Sequence, residues 1–115
     1  MLKYGIIWHV DDNAALTRCL RALSEPARRQ VVELLSAGAL RAGEIASLTG
    51  LSPATMSRHL RALLSAGLVD DERSVTDARV RLFFLQREAL EPLEEWLERF
   101  VSSGRRRPAA GRADP

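Results

Sequence analysis

The segment LSPATMSRHLRALLSAGLV, residues 51–69, constrains the fold of this chain more than any other part of it. Ser52 is a suitable N-cap, Pro53 suits the first helical position, and Gly67 suits a helix end. At about 100° per residue, four apolar residues share one side of the resulting helix. They are Met56, Leu60, Leu63 and Leu64. The pattern predicts a helix over 53–66 with this side turned into a core.

The opposite side of this helix combines small residues with cations. It carries Ala54, Thr55, Arg58, Arg61, Ala62 and Ser65, with Ser57 and His59 at its flanks. No acid occurs from Leu51 to Val69, whereas a solvated helix face usually includes some. Such a surface can enter the major groove of DNA, where Arg reaches O6 and N7 of guanine. The predicted DNA contacts are Ser52, Ala54, Thr55, Ser57, Arg58, His59 and Arg61. The alternative is a helix that packs normally and has a cationic outer face.

Three helices are predicted before this segment. The first starts at an N-cap, Asp12 or Asn13, and has apolar residues Leu16, Cys19, Leu20 and Leu23. The second follows Ser24 as its cap and ends before Gly38, with a buried face of Ala27, Val31, Val32, Leu34 and Leu35. The third spans 42–49 and ends at Gly50. Only Leu51 and Ser52 separate it from the fourth, a spacing typical of a helix-turn-helix whose first helix crosses the DNA backbone.

A β-hairpin and a last helix are predicted after it. Residues 68–69 and 80–85 suggest two strands joined by an exposed turn at 74–78. The last helix has one apolar face and one acidic face. The apolar face carries Leu93, Trp96, Leu97, Phe100 and Val101, and the acidic face Glu91, Glu94, Glu95 and Glu98. The fold class is therefore mainly α with a small β-hairpin wing (α+β): a winged helix-turn-helix of five helices.

The 115 residues fit one domain, which we place at 12–103. Residues 1–11 form an apolar N-terminal arm, which either packs on the body or a partner subunit or builds a ligand pocket around Trp8. Residues 104–115, GRRRPAAGRADP, lack apolar periodicity, which predicts a disordered basic tail. Without a signal-peptide core or membrane span, we expect a cytoplasmic location and no membrane partner.

Charge is distributed unevenly along the chain. Residues 14–66 hold seven arginines and three glutamates, whereas residues 70–100 hold five arginines and nine acids. A polyanion would therefore meet the first half. Within the hairpin, Arg73 and Arg79 are further candidates for DNA contact, although Asp70, Asp71 and Glu72 at its base argue against phosphate contact there.

Three stretches of the chain resemble the ArsR-type family of bacterial winged-helix repressors. They are LSEPARRQVVELL at 23–35, EIASLTGLSPATMSRHLRALLSAGLV at 44–69, and the hairpin that follows. The resemblance implies a homodimer, formed through the first and last helices, that binds a palindromic operator and releases it on an inducing signal. The apolar surface of these helices independently favours a dimer. Its predicted interface residues are Leu16, Cys19, Leu20, Leu93, Trp96, Leu97 and Phe100.

Metal and cofactor sites are not expected. Metal-sensing members of that family carry a Cys-x-Cys where this chain has Arg41 and Gly43, and the glutamates of the last helix fit a solvated face. Lone Cys19 fits a small buried hydrophobe better than a reactive thiol. Gly38 to Gly43 has phosphate-loop spacing, but Glu44 stands where the loop needs lysine. No catalytic constellation is present, so the chain is not predicted to be an enzyme.

The sequence thus predicts a sequence-specific DNA-binding transcriptional regulator, a homodimeric repressor of its own or a neighbouring operon. The alternative is a winged-helix module that binds proteins through the same outward face. Salt-dependent DNA binding separates the two. The operator and any inducer, whether a small molecule or a redox signal, are not encoded in recognisable form.

Overall fold

The computed structural model describes residues 6–101, with side chains from residue 14 onward. This part of the chain contains five α-helices and one two-stranded antiparallel sheet. The elements are α1 (Ile6–Ala22), α2 (Pro26–Leu35), α3 (Ala42–Thr49), α4 (Pro53–Ser65), β1 (Val69–Arg73), β2 (Arg81–Leu85), a 3-10 turn (Arg87–Leu90) and α5 (Glu91–Val101). The predicted mainly-α architecture with a β-hairpin wing is confirmed. No helix within this range is long and apolar enough to cross a membrane.

The first helix starts earlier than predicted. Because α1 begins at Ile6, Asp12 and Asn13 lie inside it and do not cap it. Residues 6–13 contain neither proline nor glycine, so nothing in their backbone chemistry prevents the helix from extending upstream. Of the predicted arm at 1–11, residues 1–5 lie outside the described part of the chain, as does the predicted tail at 104–115.

The junction of α1 and α2 also differs from the prediction. The N-cap of α2 is Glu25, followed by Pro26 in the first turn, whereas the sequence predicts Ser24 as the cap. The Ser24 hydroxyl instead donates to the carbonyl of Arg21 at 2.7 Å and so helps to close α1. The observed N-cap lies one residue later than predicted, because a serine side chain such as that of Ser24 can hydrogen-bond to the end of one helix or cap the start of the next.

The core lies where α2, α3, α4 and the base of the hairpin meet. Its most deeply buried large side chains are Val31, Ile45, Met56, Leu63, Leu68 and Val69. Met56, Leu60 and Leu63 are buried as their helical spacing predicts, and Leu64 packs against them half-buried. Truncating a buried leucine of this kind to alanine costs about 2–5 kcal/mol of folding free energy. The buried side chains of α4 therefore hold the helix firmly against the rest of the domain.

The first strand of the hairpin is longer than the sequence predicts. β1 runs through the acidic stretch to Arg73 and pairs with β2 so that Asp71 lies opposite Phe83. Strand pairing with β2 overrides the poor strand propensity of Asp and Glu. Leu40, between α2 and α3, exchanges two backbone hydrogen bonds with Phe83, at 3.0 and 2.8 Å. These bonds attach the hairpin to the helical body.

Candidate nucleic-acid interface

The turn between α3 and α4 sets where the candidate DNA-reading helix begins. Gly50 has a positive φ of 77°, and its N–H donates to the carbonyl of Ala46 at 2.8 Å. The hydroxyl of Thr49 also donates back to α3, to the carbonyl of Ile45 at 2.9 Å. Left-handed geometry at Gly50 ends α3 sharply, as the sequence predicts. The two helices therefore follow one another closely in a helix-turn-helix.

Two hydroxyls are held together at the start of α4. The Thr55 N–H donates to Ser52 Oγ at 3.2 Å, which makes Ser52 the N-cap that the sequence predicts. The Ser52 hydroxyl in turn donates to Thr55 Oγ1 at 3.0 Å. The free amide groups and the positive dipole end of a helix N-terminus can bind an anion such as a phosphate. The first turn of α4 is thus a fixed, polar and uncharged surface.

The outer side of α4 carries the cations. Ala54, Arg58 and Arg61 are exposed at spacing i, i+4, i+7 and form one stripe along the helix. Ser57 is exposed next to this stripe, and Thr55 is half-buried at its edge. No acid of the described residues forms an ion pair with Arg58 or Arg61. Both guanidinium groups are available to a polyanion.

His59 is not on this surface, which corrects its predicted place among the DNA contacts. Its side chain is buried, with 4% of the residue exposed, and it points toward α2. Because His59 is three residues after Met56 and four before Leu63, it shares their inward side of the helix. A phosphate cannot reach it without displacing the body of the protein.

The wing presents its cations differently from the prediction. Arg79 is exposed, but its guanidinium binds the carboxylate of Asp77 with two hydrogen bonds of 3.1 Å. The side-chain hydrogen bond from Arg79 holds the pKa of Asp77 below its usual value. Arg73 is exposed at the end of β1 and has no ion-pair partner among residues 14–101. Arg73 is therefore the better placed of the two for phosphate contact.

A second surface, which we call the apolar face, lies on α5 and the neighbouring part of α1. Trp96, Leu97 and Phe100 are exposed, with 60% of Phe100 accessible, and Leu20 is exposed on α1. The rings of Trp96 and Phe100 meet edge to face with centroids 5.2 Å apart. Leu16 and Leu93 are half-buried at its margin.

The sequence predicts Cys19 on that face, but the structure places it elsewhere. Only 2% of it is exposed, and it packs inside the core of the same subunit. Cys19 lies three residues after Leu16 and three before Ala22 on α1. Its side chain is on the same side of the helix as Ala22, which is also buried. Burial raises the pKa of the Cys19 thiol.

Comparison with known proteins bears on the same segments. Residues 25–71, from the N-cap of α2 into β1, match the model of a family described as bacterial regulatory protein, arsR family. The HTH-type transcriptional regulator YgaV of Escherichia coli (strain K12) is 36% identical over 72 residues, which cover 62% of this chain and 70% of that protein. The chain belongs to the ArsR family. The transcriptional repressor SdpR of Bacillus subtilis (strain 168) is 28% identical over 89 residues, 77% of this chain and 96% of that protein.

A solved structure agrees with the fold of this ArsR-family chain. The homodimeric winged helix-turn-helix DNA-binding domain (fragment 1–100) of Mb0332 from Mycobacterium bovis superposes with a TM-score of 0.60 at 24% identity. The alignment covers 83% of this chain and 89% of that domain. The arrangement of α3, α4 and the hairpin is thus a winged helix-turn-helix. With regulators of that class as its relatives, the chain is a DNA-binding transcriptional regulator.

Proposed function

We propose that this ArsR-family chain acts as a homodimeric repressor that reads a palindromic DNA operator with α4. The observation that carries the proposal is the exposed stripe of Ala54, Arg58 and Arg61, which has no acid beside it on α4. Small Ala54 permits close approach to the bases, and the arginines can bind guanine edges bidentately. The hydroxyls of Ser52 and Thr55 and exposed Ser57 are the proposed phosphate contacts at the start of the helix. Arg73 extends this surface onto the wing, with Arg79 as a weaker contributor.

The dimeric state is supported by two different features. The Mycobacterium bovis domain, which has the same fold, is homodimeric by its description. In this chain, Trp96, Leu97 and Phe100 leave aromatic and aliphatic surface exposed on one side of α5. A two-fold axis through the apolar face would present two copies of α4 to two half-sites, which is why we propose a palindromic operator.

Nothing in the site favours catalysis. The polar groups on the outer side of α4 are hydroxyls and guanidinium groups, without a base placed to activate a nucleophile. Among the described residues, no three His, Cys, Asp or Glu side chains are placed to hold a metal ion. We propose that the chain acts on transcription by binding alone.

Fluorescence anisotropy with the DNA immediately upstream of the gene tests this function. The logarithm of the association constant should fall linearly with the logarithm of the salt concentration, by nearly one unit of slope per phosphate neutralised. Arg58→Ala and Arg61→Ala should each weaken binding by about 1–3 kcal/mol if the residue reads a base. Gln30→Glu is the matched control, because it changes net charge by the same single unit at an exposed position of another helix, α2.

These three variants separate a groove contact from a general charge effect. Binding that is weakened in both arginine variants and unchanged in the control supports the groove assignment. Equal losses in all three would mean that overall charge, not α4, determines binding. Unchanged affinity in Arg58→Ala and Arg61→Ala would exclude α4 as the reading element.

A further inference from the structure

His59 faces the start of α2 from the inward side of α4. Its Nδ1 atom is buried, has no hydrogen-bond partner among the described residues, and lies 3.9 Å from Oε1 of Glu25. A buried polar atom without a hydrogen-bond partner is unfavourable, so a nearby carboxylate strongly affects which orientation of the His59 ring is preferred. Glu25 supplies the nearest carboxylate to it.

The backbone of Glu25 is fixed at the start of α2. As the N-cap of α2, its carbonyl accepts from the N–H groups of Arg28 and Arg29 at 3.0 and 3.2 Å, which fixes its backbone. Its second carboxylate oxygen lies 3.4 Å from Nη2 of Arg28. The Arg28 side chain is only 14% exposed, and its Nε is also buried without a partner among the residues with described side chains. One carboxylate thus lies between two buried nitrogen-bearing side chains, one on α2 and one on α4.

We propose that the contact between Glu25 and His59 sets the rotation of α4 about its own axis, and thereby the DNA sequence that the helix reads. This inference rests on the proposed function. His59 is a positioning residue in it: it touches no DNA, but it lies between Arg58 and Arg61 in the sequence of the same helix. The leucines of α4 hold the helix on the body. The Glu25–His59 contact favours one rotation, because at 3.9 Å the carboxylate lies just beyond hydrogen-bond distance of a buried nitrogen that has no other partner among the described residues, and turning α4 changes that distance.

Rotation matters more for base contacts than for phosphate contacts. The Cα atoms of a helix lie about 2.3 Å from its axis, and an arginine head group lies several times farther out, so a small rotation displaces the head group most. A bidentate contact with guanine needs both hydrogen bonds in line, whereas a phosphate accepts from many directions. Loss of the Glu25–His59 contact should therefore reduce discrimination between sequences and leave general DNA affinity nearly intact.

The test uses four variants at the contact and one control. His59→Leu fills the space without a donor, and His59→Gln keeps an N–H group. Glu25→Ala removes the acceptor, and Glu25→Gln keeps a carbonyl oxygen. The control, Glu33→Ala, removes an exposed acid from α2. Each variant of the 115-residue chain selects duplexes from a randomised DNA pool. Anisotropy then compares the duplex most enriched by the wild type with a scrambled duplex of equal length.

We expect His59→Leu and Glu25→Ala to lower the ratio of the two affinities about tenfold, the size of one base contact, with the affinity for the scrambled duplex unchanged. The amide variants should keep most of the ratio, and the double variant His59→Leu with Glu25→Ala should lose no more than either single one. Circular dichroism melts confirm that each protein is folded at the assay temperature.

Several results would overturn the inference. A ratio that stays at the wild-type value in His59→Leu and Glu25→Ala would show that packing alone orients α4. Equal losses for both duplexes would assign the residues to stability only. The same loss in Glu33→Ala would point to charge rather than contact. If the wild type itself selected no sequence, the proposed function would fail first and the inference with it.

Discussion

Arg81 and Asp71 form an ion pair across the wing. Both Nε and Nη2 of Arg81 lie 2.7 Å from Oδ2 of Asp71, and the guanidinium carbon lies 4.8 Å from the centre of the Phe83 ring. From the sequence alone, the acids at the base of the hairpin are expected to repel DNA phosphates. Because Arg81 pairs with Asp71, one of these negative charges is compensated within the wing.

Breaking this pair should destabilise the wing modestly. In the strand register Arg73 lies directly opposite Arg81, so Asp71→Ala leaves two like charges facing each other without a counter-ion. Exposed pairs contribute about 0.2–1 kcal/mol, and stacking on an aromatic ring adds a similar amount for Arg81. Thermal unfolding of Asp71→Ala, Arg81→Ala and the double variant measures the coupling. A coupling free energy of zero would mean that the pair contributes nothing in solution.

The stability that the Asp77–Arg79 pair gives to the turn of the wing should decrease at acid pH. The side-chain hydrogen bond from Arg79 lowers the pKa of Asp77, so the folded carboxylate holds its proton less tightly than the unfolded one. Its contribution to stability is complete above the ordinary value of 3.8 and disappears as pH falls through the lowered pKa of the folded state. Carbon-13 NMR titration of the Asp77 carboxyl should show a midpoint below 3.8 in the wild type and a return toward it in Arg79→Ala. Identical midpoints in both proteins would show that the pair does not form.

Releasing Arg79 from Asp77 should strengthen general DNA binding. In Asp77→Asn the guanidinium no longer faces a charged partner 3.1 Å away and can turn toward a phosphate. Affinity for a scrambled duplex should rise, and its salt dependence should steepen by up to about one unit of slope. Glu72→Gln, which removes an exposed acid of the wing that has no ion-pair partner among residues 14–101, is the control for net charge. Equal gains in both variants would indicate a general charge effect.

The ends of α3 and α4 can be predicted from sequence because local chemistry determines them. Gly50 provides the left-handed residue that ends α3, and Ser52 with Pro53 provides the start of α4. The apolar spacing of Met56, Leu60 and Leu63 also predicts which side of α4 faces the core, and so places Arg58 and Arg61 on its outer side. The family resemblance in the same segment is confirmed by the comparisons.

What the sequence does not reveal depends on contacts between distant residues. Glu25 and His59 are 34 positions apart, and only the packing of α2 on α4 brings them together. The i+3 spacing from Met56 is a signal that places His59 inward, but a histidine beside two arginines suggests DNA instead. The predicted burial of Cys19 as a small hydrophobe is confirmed, but its assignment to the subunit interface is wrong, because an apolar stripe does not show which of its residues face the core and which face a partner.

Removing the N-cap hydroxyl should destabilise α4. Ser52→Ala loses the bond from the Thr55 N–H and the bond to its hydroxyl, and N-cap losses of this kind cost about 0.5–2 kcal/mol. For a domain of this size the melting temperature should fall by about 4–8 °C per kcal/mol. Ser47→Ala, at an exposed position of α3, is the control and should melt close to the wild type. A Ser52→Ala melt equal to that of the control would contradict the cap.

A charge on the apolar face should separate the subunits. Leu97→Glu places a carboxylate beside Trp96 and Phe100, where a partner subunit would have to bury it without a counter-ion. Light scattering should then give the monomer mass of 12.8 kDa, against twice that value for the wild type. Affinity for the DNA selected by the wild type should collapse because one subunit meets only one half-site, while the helical circular dichroism signal persists. Glu95→Gln, at an exposed position of the same helix, should remain dimeric and bind normally. A wild type that is monomeric at micromolar concentration, or a Leu97→Glu variant that still dimerises, would place the subunit contact on another surface.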